Sequence, residues 1–122
     1  MKKILIVEDE VAYLKLLGSQ LTEKGYEVFQ AENGKEGLEK AKSEKPDLIL
    51  LDIRMPVMDG MTMLDLLRKE ESIKKTQVII LTNFEPDDKI LGEVLKDKPS
   101  YYFVKSDIQF DELLKKVEKL LA

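Results

Sequence analysis

The residues with the clearest chemical use stand where short apolar runs end. The run Leu48–Leu51 is followed directly by Asp52, and the run Ile4–Val7 is followed by Glu8 and Asp9. An unpaired carboxylate at the end of a buried strand costs free energy. Asp52 therefore needs a compensating charge, such as a metal ion or a lysine.

A hydroxyl and an ammonium group follow two other apolar runs in the same way. Thr82 comes after the run Val78–Leu81, and Lys105 comes after the run Tyr101–Val104. Each of these residues is ordinary by itself, because threonine is common in strands and lysine is common on surfaces. The recurrence of polar groups at four run ends is what favours a shared site.

The elements that would position these groups alternate along the chain. We predict five strands, which span Lys3–Val7, Tyr26–Ala31, Leu48–Leu51, Val78–Leu81 and Tyr101–Val104. Apolar residues at helical spacing predict a helix after each strand. The helices cover Val11 to Leu21, a segment from Asn33-Gly34 with Leu38 and Ala41 inside, Met61 to Leu67 after Asp59-Gly60, Ile90 to Leu95 after Pro86, and Phe110 to Leu121. Gly25 is the expected end of the first helix.

Continuous apolar strands that alternate with amphipathic helices are typical of a parallel sheet covered on both faces, which is an α/β fold. In such sheets the functional crevice lies beyond the carboxyl ends of the strands. The polar residues at the run ends are therefore expected to converge at one edge of the sheet.

Composition narrows the chemistry that this edge could perform. The 122 residues suffice for one domain, and we expect a single domain over 1–122. The chain has no cysteine and no histidine, which excludes disulfides, thiolate or imidazole metal sites and a Ser-His-Asp triad. A bound metal must be held by oxygen atoms, and Mg²⁺ prefers such ligands.

Charge and hydropathy narrow the partners and the compartment. The formal net charge of −4 argues against direct binding of nucleic acid. The N-terminal MKKILIVEDE has lysines before an apolar run, but this run is too short for a signal peptide or a membrane span. We expect a cytoplasmic protein that does not interact with a membrane.

Four sequence strings together resemble a known family. KILIVEDE, AENGKEGLE, PDLILLDIRMPVMDG and YFVK stand at the spacing found in bacterial two-component response-regulator receiver domains of the chemotaxis-regulator-like superfamily. The resemblance covers almost the whole chain. It implies a flavodoxin-like, doubly wound five-stranded parallel sheet with strand order 2-1-3-4-5 and helices on both faces.

The resemblance also implies roles for individual residues. Asp52 would accept a phosphoryl group, while Lys105 and Thr82 would contact the phosphoryl oxygens. The implied Mg²⁺ ligands are Asp9, Asp52, the backbone carbonyl of Arg54, and Glu8 acting through a water molecule. Such a protein is not a turnover enzyme, since it catalyses only its own phosphorylation and dephosphorylation.

A conformational switch is the next implication of the resemblance. Thr82 would move toward the phosphoryl group and Tyr102 would rotate inward. These movements would reshape the surface of the helix after Pro86, the fifth strand and the last helix. The implied partners are a sensor histidine kinase or phosphotransfer protein and an unknown output protein or domain, with the receiver a monomer or a phosphorylation-promoted dimer.

Two residues, Ser106 and Asn83, depart from the family pattern. Ser106 replaces the proline that usually follows the lysine, which predicts either a trans peptide bond or a strained site. The sequence SDIQ from Ser106 matches a capping box for the last helix. Asn83 is larger than the residue usual after the threonine, and we hypothesise that Arg54 and Phe84 shield the aspartyl phosphate from water.

Other interpretations remain open from the sequence. Asp9 could simply be the N-cap of the first helix. The whole chain could be a receiver-like interaction module that works without phosphorylation. An aspartate-nucleophile phosphatase would carry an acid at the position of Arg54, and a flavodoxin-like flavin protein would suffer repulsion between its carboxylates and the flavin phosphate.

Overall fold

The structure is a computed structural model that describes residues 1–55, 57–83, 92 and 96–122. We number its strands and helices separately in chain order. The strands are β1 (Lys3–Val7), β2 (Glu27–Ala31), β3 (Leu48–Leu51), β4 (Gln77–Thr82) and β5 (Tyr101–Val104). The helices within these residues are α1 (Val11–Glu23), α2 (Gly34–Glu44), α3 (Gly60–Lys69) and α4 (Phe110–Leu121). The predicted bounds of β1, β3 and β5 are confirmed.

The five strands form one parallel sheet with the order β2-β1-β3-β4-β5. This order and the α/β class are the ones expected from the sequence. The central strands β1 and β3 are buried almost throughout, as their continuous apolar runs predicted. The order changes direction between β1 and β3, which is where a doubly wound sheet opens its crevice.

Alternate residues of the strands pack against two different helical layers. On one face, Leu5, Ile49 and Ile80 belong to a buried cluster with residues of α2 and α3. On the other face, Ile6 and Leu50 belong to a cluster with residues of α1 and α4. A register shift of one residue would turn each set toward the other helical layer and disrupt both packed clusters, so the packing fixes the register and the ends of the strands. The positions of the polar residues beyond those ends follow from this register.

Local signals place three helix ends where the sequence predicted them. Gly25 follows the end of α1 and has a φ of 97°, a conformation that glycine adopts readily. The Asn33 side chain accepts a hydrogen bond from the Glu36 amide at 2.9 Å and caps α2. The Asp59 side chain accepts one from the Thr62 amide at 2.8 Å and caps α3. The loop between β3 and α3 is therefore anchored at its second end.

Two capping interpretations that the sequence offered, Asp9 as the N-cap of α1 and a capping box from Ser106, are wrong. The N-cap residue of α1 is Glu10 rather than Asp9, and the Glu10 amide donates to the Glu8 carboxylate at 3.0 Å. The capping box from Ser106 does not form, because α4 begins only at Phe110. The amides of Asp107 and Ile108 both donate to the Val104 carbonyl, so the chain turns back on β5 before the helix can start.

Of the remaining sequence predictions, one is answered by the structure and others concern residues that it does not describe. The Lys105–Ser106 peptide bond is trans, which was the first of the two expected alternatives. The helix predicted after Pro86, with Ile90, Leu91, Val94 and Leu95, and the residue Phe84 lie outside the described residues.

Within the described parts of the chain, no helix is both long enough and apolar enough to cross a membrane.

Candidate functional site

The candidate site lies at the carboxyl edge of the sheet, where backbone hydrogen bonds continue beyond the strands. The amide of Asp52, directly after β3, donates to the carbonyl of Val7 at 3.0 Å. The amide of Lys105, directly after β5, donates to the carbonyl of Thr82 at 2.7 Å. These bonds hold the backbone of Asp52 and Lys105 at the end of the sheet.

Three carboxylates come together at this edge. One oxygen from each of Glu8, Asp9 and Asp52 lies within 4.8 Å of the other two. The Glu8 and Asp52 side chains are 3% and 8% exposed, whereas Asp9 is open to solvent. An all-oxygen set of this charge fits a hard divalent cation such as Mg²⁺ and lacks the nitrogen and sulfur ligands that softer metals prefer.

Lys105 supplies the positive charge that the sequence required for Asp52. Its ammonium lies 3.3 Å from Asp52 Oδ2 and makes an ion pair with Glu8 Oε1. The Lys105 side chain is 6% exposed, so this pairing takes place largely out of water. Glu10 is also near, with its Oε2 at 3.9 Å, but that side chain is 59% exposed. The lysine therefore balances one of the two buried acids.

The excess of buried negative charge shifts the acid–base equilibria of the site. Burial raises the pKa of the Glu8 carboxyl to about 7, and the charge of Asp52 adds to this effect, although hydrogen bonds from Lys105 and Glu10 oppose it. Burial lowers the pKa of Lys105, but its bonds to Glu8 and the charge of Asp52 outweigh burial and raise that pKa overall. Lys105 is thus held in its charged form.

Arg54, Thr82 and Tyr102 occupy the surroundings of this charged centre. The Arg54 amide donates to Asp52 Oδ1 at 3.4 Å, and Arg54 is an exposed residue. Thr82 is buried at the last position of β4. Tyr102 is half-buried on β5 and packs against the core cluster of α2 and α3. Tyr102 lies within the predicted fifth strand. Thr82, which was predicted to follow the fourth strand, is the last residue of that strand.

The loop that follows Asp52 is held close to the site by a glycine. The Gly60 amide donates to the Ile53 carbonyl at 2.8 Å. A Cβ atom at Gly60 would overlap the backbone carbonyl of Asp52. The start of α3 can approach Asp52 this closely only with glycine at that position.

Sequence reasoning missed two residues at the site, Glu10 and Tyr13. The Tyr13 ring centroid lies 4.5 Å from the Lys105 ammonium. Tyr13 lies in the first turn of α1, shortly after the acids that end β1. That proximity could be read from the sequence, but it does not show which of the many lysines the ring would meet.

The chain is similar in sequence to a family of known proteins. The family model described as the response regulator receiver domain matches residues 4–118. Among curated relatives, the Bacillus subtilis alkaline phosphatase synthesis transcriptional regulatory protein PhoP is 41% identical over 92 residues, which is 75% of this chain and 38% of PhoP. The chain thus spans about two fifths of that relative's length. Protein PilH of Pseudomonas aeruginosa is 33% identical over 100% of this chain and 99% of PilH.

Solved structures show the same architecture. The chemotaxis protein CheY4 of Vibrio cholerae has a TM-score of 0.88 and 30% identity, with 98% of both chains covered. The response regulator protein TrrA of Thermotoga maritima, solved in complex with Mg²⁺ and BeF, has a TM-score of 0.83 and 39% identity, covering 98% of this chain and 99% of TrrA. These likenesses extend over nearly the entire chain.

Proposed function

The chain belongs to the response regulator receiver domain family, and on that premise we propose that it is a signalling receiver that takes a phosphoryl group onto Asp52. The observation that carries this proposal is a buried Asp52 carboxylate 3.3 Å from the buried ammonium of Lys105 and beside two further acids. The remaining site residues have roles that follow from this geometry.

The reaction is an in-line displacement at phosphorus. A carboxylate oxygen of Asp52 forms a bond to the phosphorus atom as the bond to the donor breaks, and the leaving group keeps the electron pair of that bond. The donor is the phosphorylated histidine of a sensor kinase or phosphotransfer protein, or a small acyl phosphate. The transferred group carries dispersed negative charge, so catalysis consists mainly of positioning and electrostatic stabilisation.

Several residues of this chain stabilise that charge. The Lys105 ammonium, already beside Asp52 Oδ2, donates to one phosphoryl oxygen, and the Thr82 hydroxyl donates to another. Asp9, Asp52, the Arg54 carbonyl and Glu8 through a water molecule would hold Mg²⁺. The metal would supply positive charge that reduces the repulsion between the phosphoryl group and the carboxylates.

The signal then leaves the site through the neighbouring elements. Thr82 and Tyr102 lie on β4 and β5, which pair with each other along the sheet. Movement of Thr82 toward the phosphoryl group lets the half-buried Tyr102 ring turn inward and changes the surface that includes β5 and α4. An output protein or domain in the cytoplasm binds this surface.

The experiment that tests the proposal is intact mass measurement after incubation with acetyl phosphate and Mg²⁺. We expect a gain of one phosphoryl group that is lost in EDTA and in Asp52→Asn. Asp111→Asn is the matched control, because Asp111 is an exposed acid on α4. This variant should gain one phosphoryl group as the unaltered protein does.

The opposite result would identify a different function. If neither acetyl phosphate nor a panel of phosphorylated histidine kinases transfers a phosphoryl group, the receiver function is wrong. The chain would then be a receiver-like interaction module, and the departures at Asn83 and Ser106 would be the first residues to replace.

A further inference from the structure

The placement of the Lys105 ammonium is not explained by its backbone. The Lys105 amide is held by the Thr82 carbonyl, but a lysine side chain has a flexible four-carbon stem that can turn in several directions. Ser106, the next residue, is exposed in a turn. The groups that surround the ammonium must therefore decide where it lies.

An aromatic ring lies against the Lys105 ammonium. The centroid of the Tyr13 ring is 4.5 Å from Lys105 Nζ, a separation at which the ring face attracts a cation. Two other ammonium–ring pairs in the described parts of the chain are longer, at 5.4 Å for Lys116 with Tyr101 and 5.9 Å for Lys3 with Phe29. The Lys105 side chain is also largely shielded from water, which strengthens such an attraction.

The Tyr13 ring is itself held in place. Tyr13 lies in the first turn of α1, is half-buried, and packs against the core cluster of α1 and α4. A ring packed in this way can orient the flexible lysine side chain.

A third acid, Glu10, competes for the Lys105 ammonium. Glu10 Oε2 is 3.9 Å from the Lys105 ammonium and belongs to an exposed side chain. If the ammonium turned toward Glu10, it would leave Asp52 and no longer face an incoming phosphoryl oxygen. The attraction between the ammonium and the packed Tyr13 ring adds to its pairing with Asp52 and Glu8 and so favours the position beside these two acids.

We propose that Tyr13 is a positioning residue for phosphoryl transfer, whose ring holds the Lys105 ammonium beside Asp52. This inference rests on the proposed receiver function. It assigns the effect to the face of the ring and not to the phenolic hydroxyl.

The first test measures the contact in the resting protein and needs no phosphorylation. We expect NMR spectra of the full chain to show a nuclear Overhauser contact between the Lys105 ε-methylene protons and the Tyr13 ring, with those protons shifted upfield by the ring. Tyr13→Phe should keep the contact and the upfield shift, and in Tyr13→Leu the shift should disappear. Absence of the contact in the unaltered protein would overturn the proposal without any variant.

The second test measures the consequence with Mg²⁺ and beryllofluoride as a phosphoryl mimic. We expect Tyr13→Leu to need about tenfold more beryllofluoride for half-saturation, and Tyr13→Phe to stay within about twofold of the unaltered protein. Tyr26→Leu is the matched control, because Tyr26 packs against the same core cluster but precedes β2 at the opposite edge of the sheet.

The outcomes separate this inference from the function on which it rests. Equal beryllofluoride affinity in Tyr13→Leu and the unaltered protein overturns the role of Tyr13 and leaves the receiver function intact. Equal losses in Tyr13→Phe and Tyr13→Leu assign the effect to the hydroxyl and overturn the role of the ring. If the unaltered protein neither binds beryllofluoride nor is phosphorylated, the receiver function fails and the role of Tyr13 in transfer fails with it, even if the NMR contact is present.

Discussion

At the scale of single residues, Glu8 and Asp52 show how one lysine serves two buried acids. Lys105 pairs with both, yet a single positive charge cannot balance two carboxylates and the adjacent Asp9. This imbalance is greatest at Glu8, because burial raises the pKa of its carboxyl from 4.5 to about 7. The metal-free site is therefore an unfavourable concentration of negative charge, as expected of a centre that binds a cation.

This imbalance predicts a pH dependence of stability for protein kept metal-free with EDTA. A carboxyl whose pKa is raised on folding binds its proton more tightly in the folded state. The stability that this proton contributes is complete below about pH 4.5 and is lost as the pH rises through about 7. We expect this group to lower the free energy of unfolding by about 1–3 kcal/mol across that window, as measured by urea denaturation at a series of pH values.

The control for this prediction is Glu8→Gln, which cannot ionise. Its free energy of unfolding should fall less than that of the unaltered protein between pH 4.5 and 7. Parallel curves for the two proteins would mean that Glu8 is not the group responsible.

At the scale of elements, Arg68 ties the end of α3 to two segments that precede strands. Its guanidinium donates to the carbonyls of Thr76 at 2.6 Å and Lys74 at 3.1 Å, before β4. It also donates to the carbonyls of Asp97 at 2.7 Å and Lys98 at 3.3 Å, before β5. Burial lowers the pKa of Arg68. Since β5 leads directly to Lys105, this contact supports the element that delivers the lysine.

Removal of this guanidinium should destabilise the fold. We expect Arg68→Ala to lower the free energy of unfolding by about 2–4 kcal/mol, because several carbonyls lose a charged donor at once. Arg68→Lys should recover less than half of the loss, since an ammonium cannot reproduce the planar set of donors. Urea denaturation measures both.

The neighbouring Lys69→Ala is the control. Lys69 pairs with Asp65 at 3.0 Å on the surface, and such pairs contribute at most about 1 kcal/mol. Equal effects of Arg68→Ala and Lys69→Ala would show that the hydrogen bonds of Arg68 do not support the segments before β4 and β5.

At the scale of the whole molecule, the charge of the site and the stability of the fold are coupled. The chain has a net charge of −4, and three of its acids meet at one edge of the sheet. A cation that binds only the folded protein stabilises it in proportion to the logarithm of its concentration over Kd.

Mg²⁺ should therefore raise the melting temperature. At about one hundred times Kd we expect a rise of about 5–10 °C, measured by differential scanning calorimetry. Asp9→Asn should lose most of this rise, while Asp47→Asn, at the opposite edge of the sheet, should keep it. The same rise in NaCl of matched ionic strength would assign the effect to general screening and contradict a specific site.

The sequence alone determined the strands, their α/β arrangement and the edge at which polar residues would gather. Apolar runs such as Leu48–Leu51 are continuous, so burial on both faces and the strand that results could be read from adjacent residues. Asp52 and Lys105 follow such runs directly, and the geometry of a parallel sheet then brings them to one edge. The resemblance to a known family added the strand order, which the structure shares.

Only the tertiary structure decided how the charges at that edge are paired. The capping box from Ser106 was wrong, because the Val104 carbonyl engages the amides that follow and delays α4 to Phe110. The contact of Lys105 with Tyr13 joins β5 to α1, elements at opposite ends of the chain. Local patterns report local burial and backbone preference, whereas the partner of a flexible ammonium depends on distances that exist only once the sheet and its helices have packed.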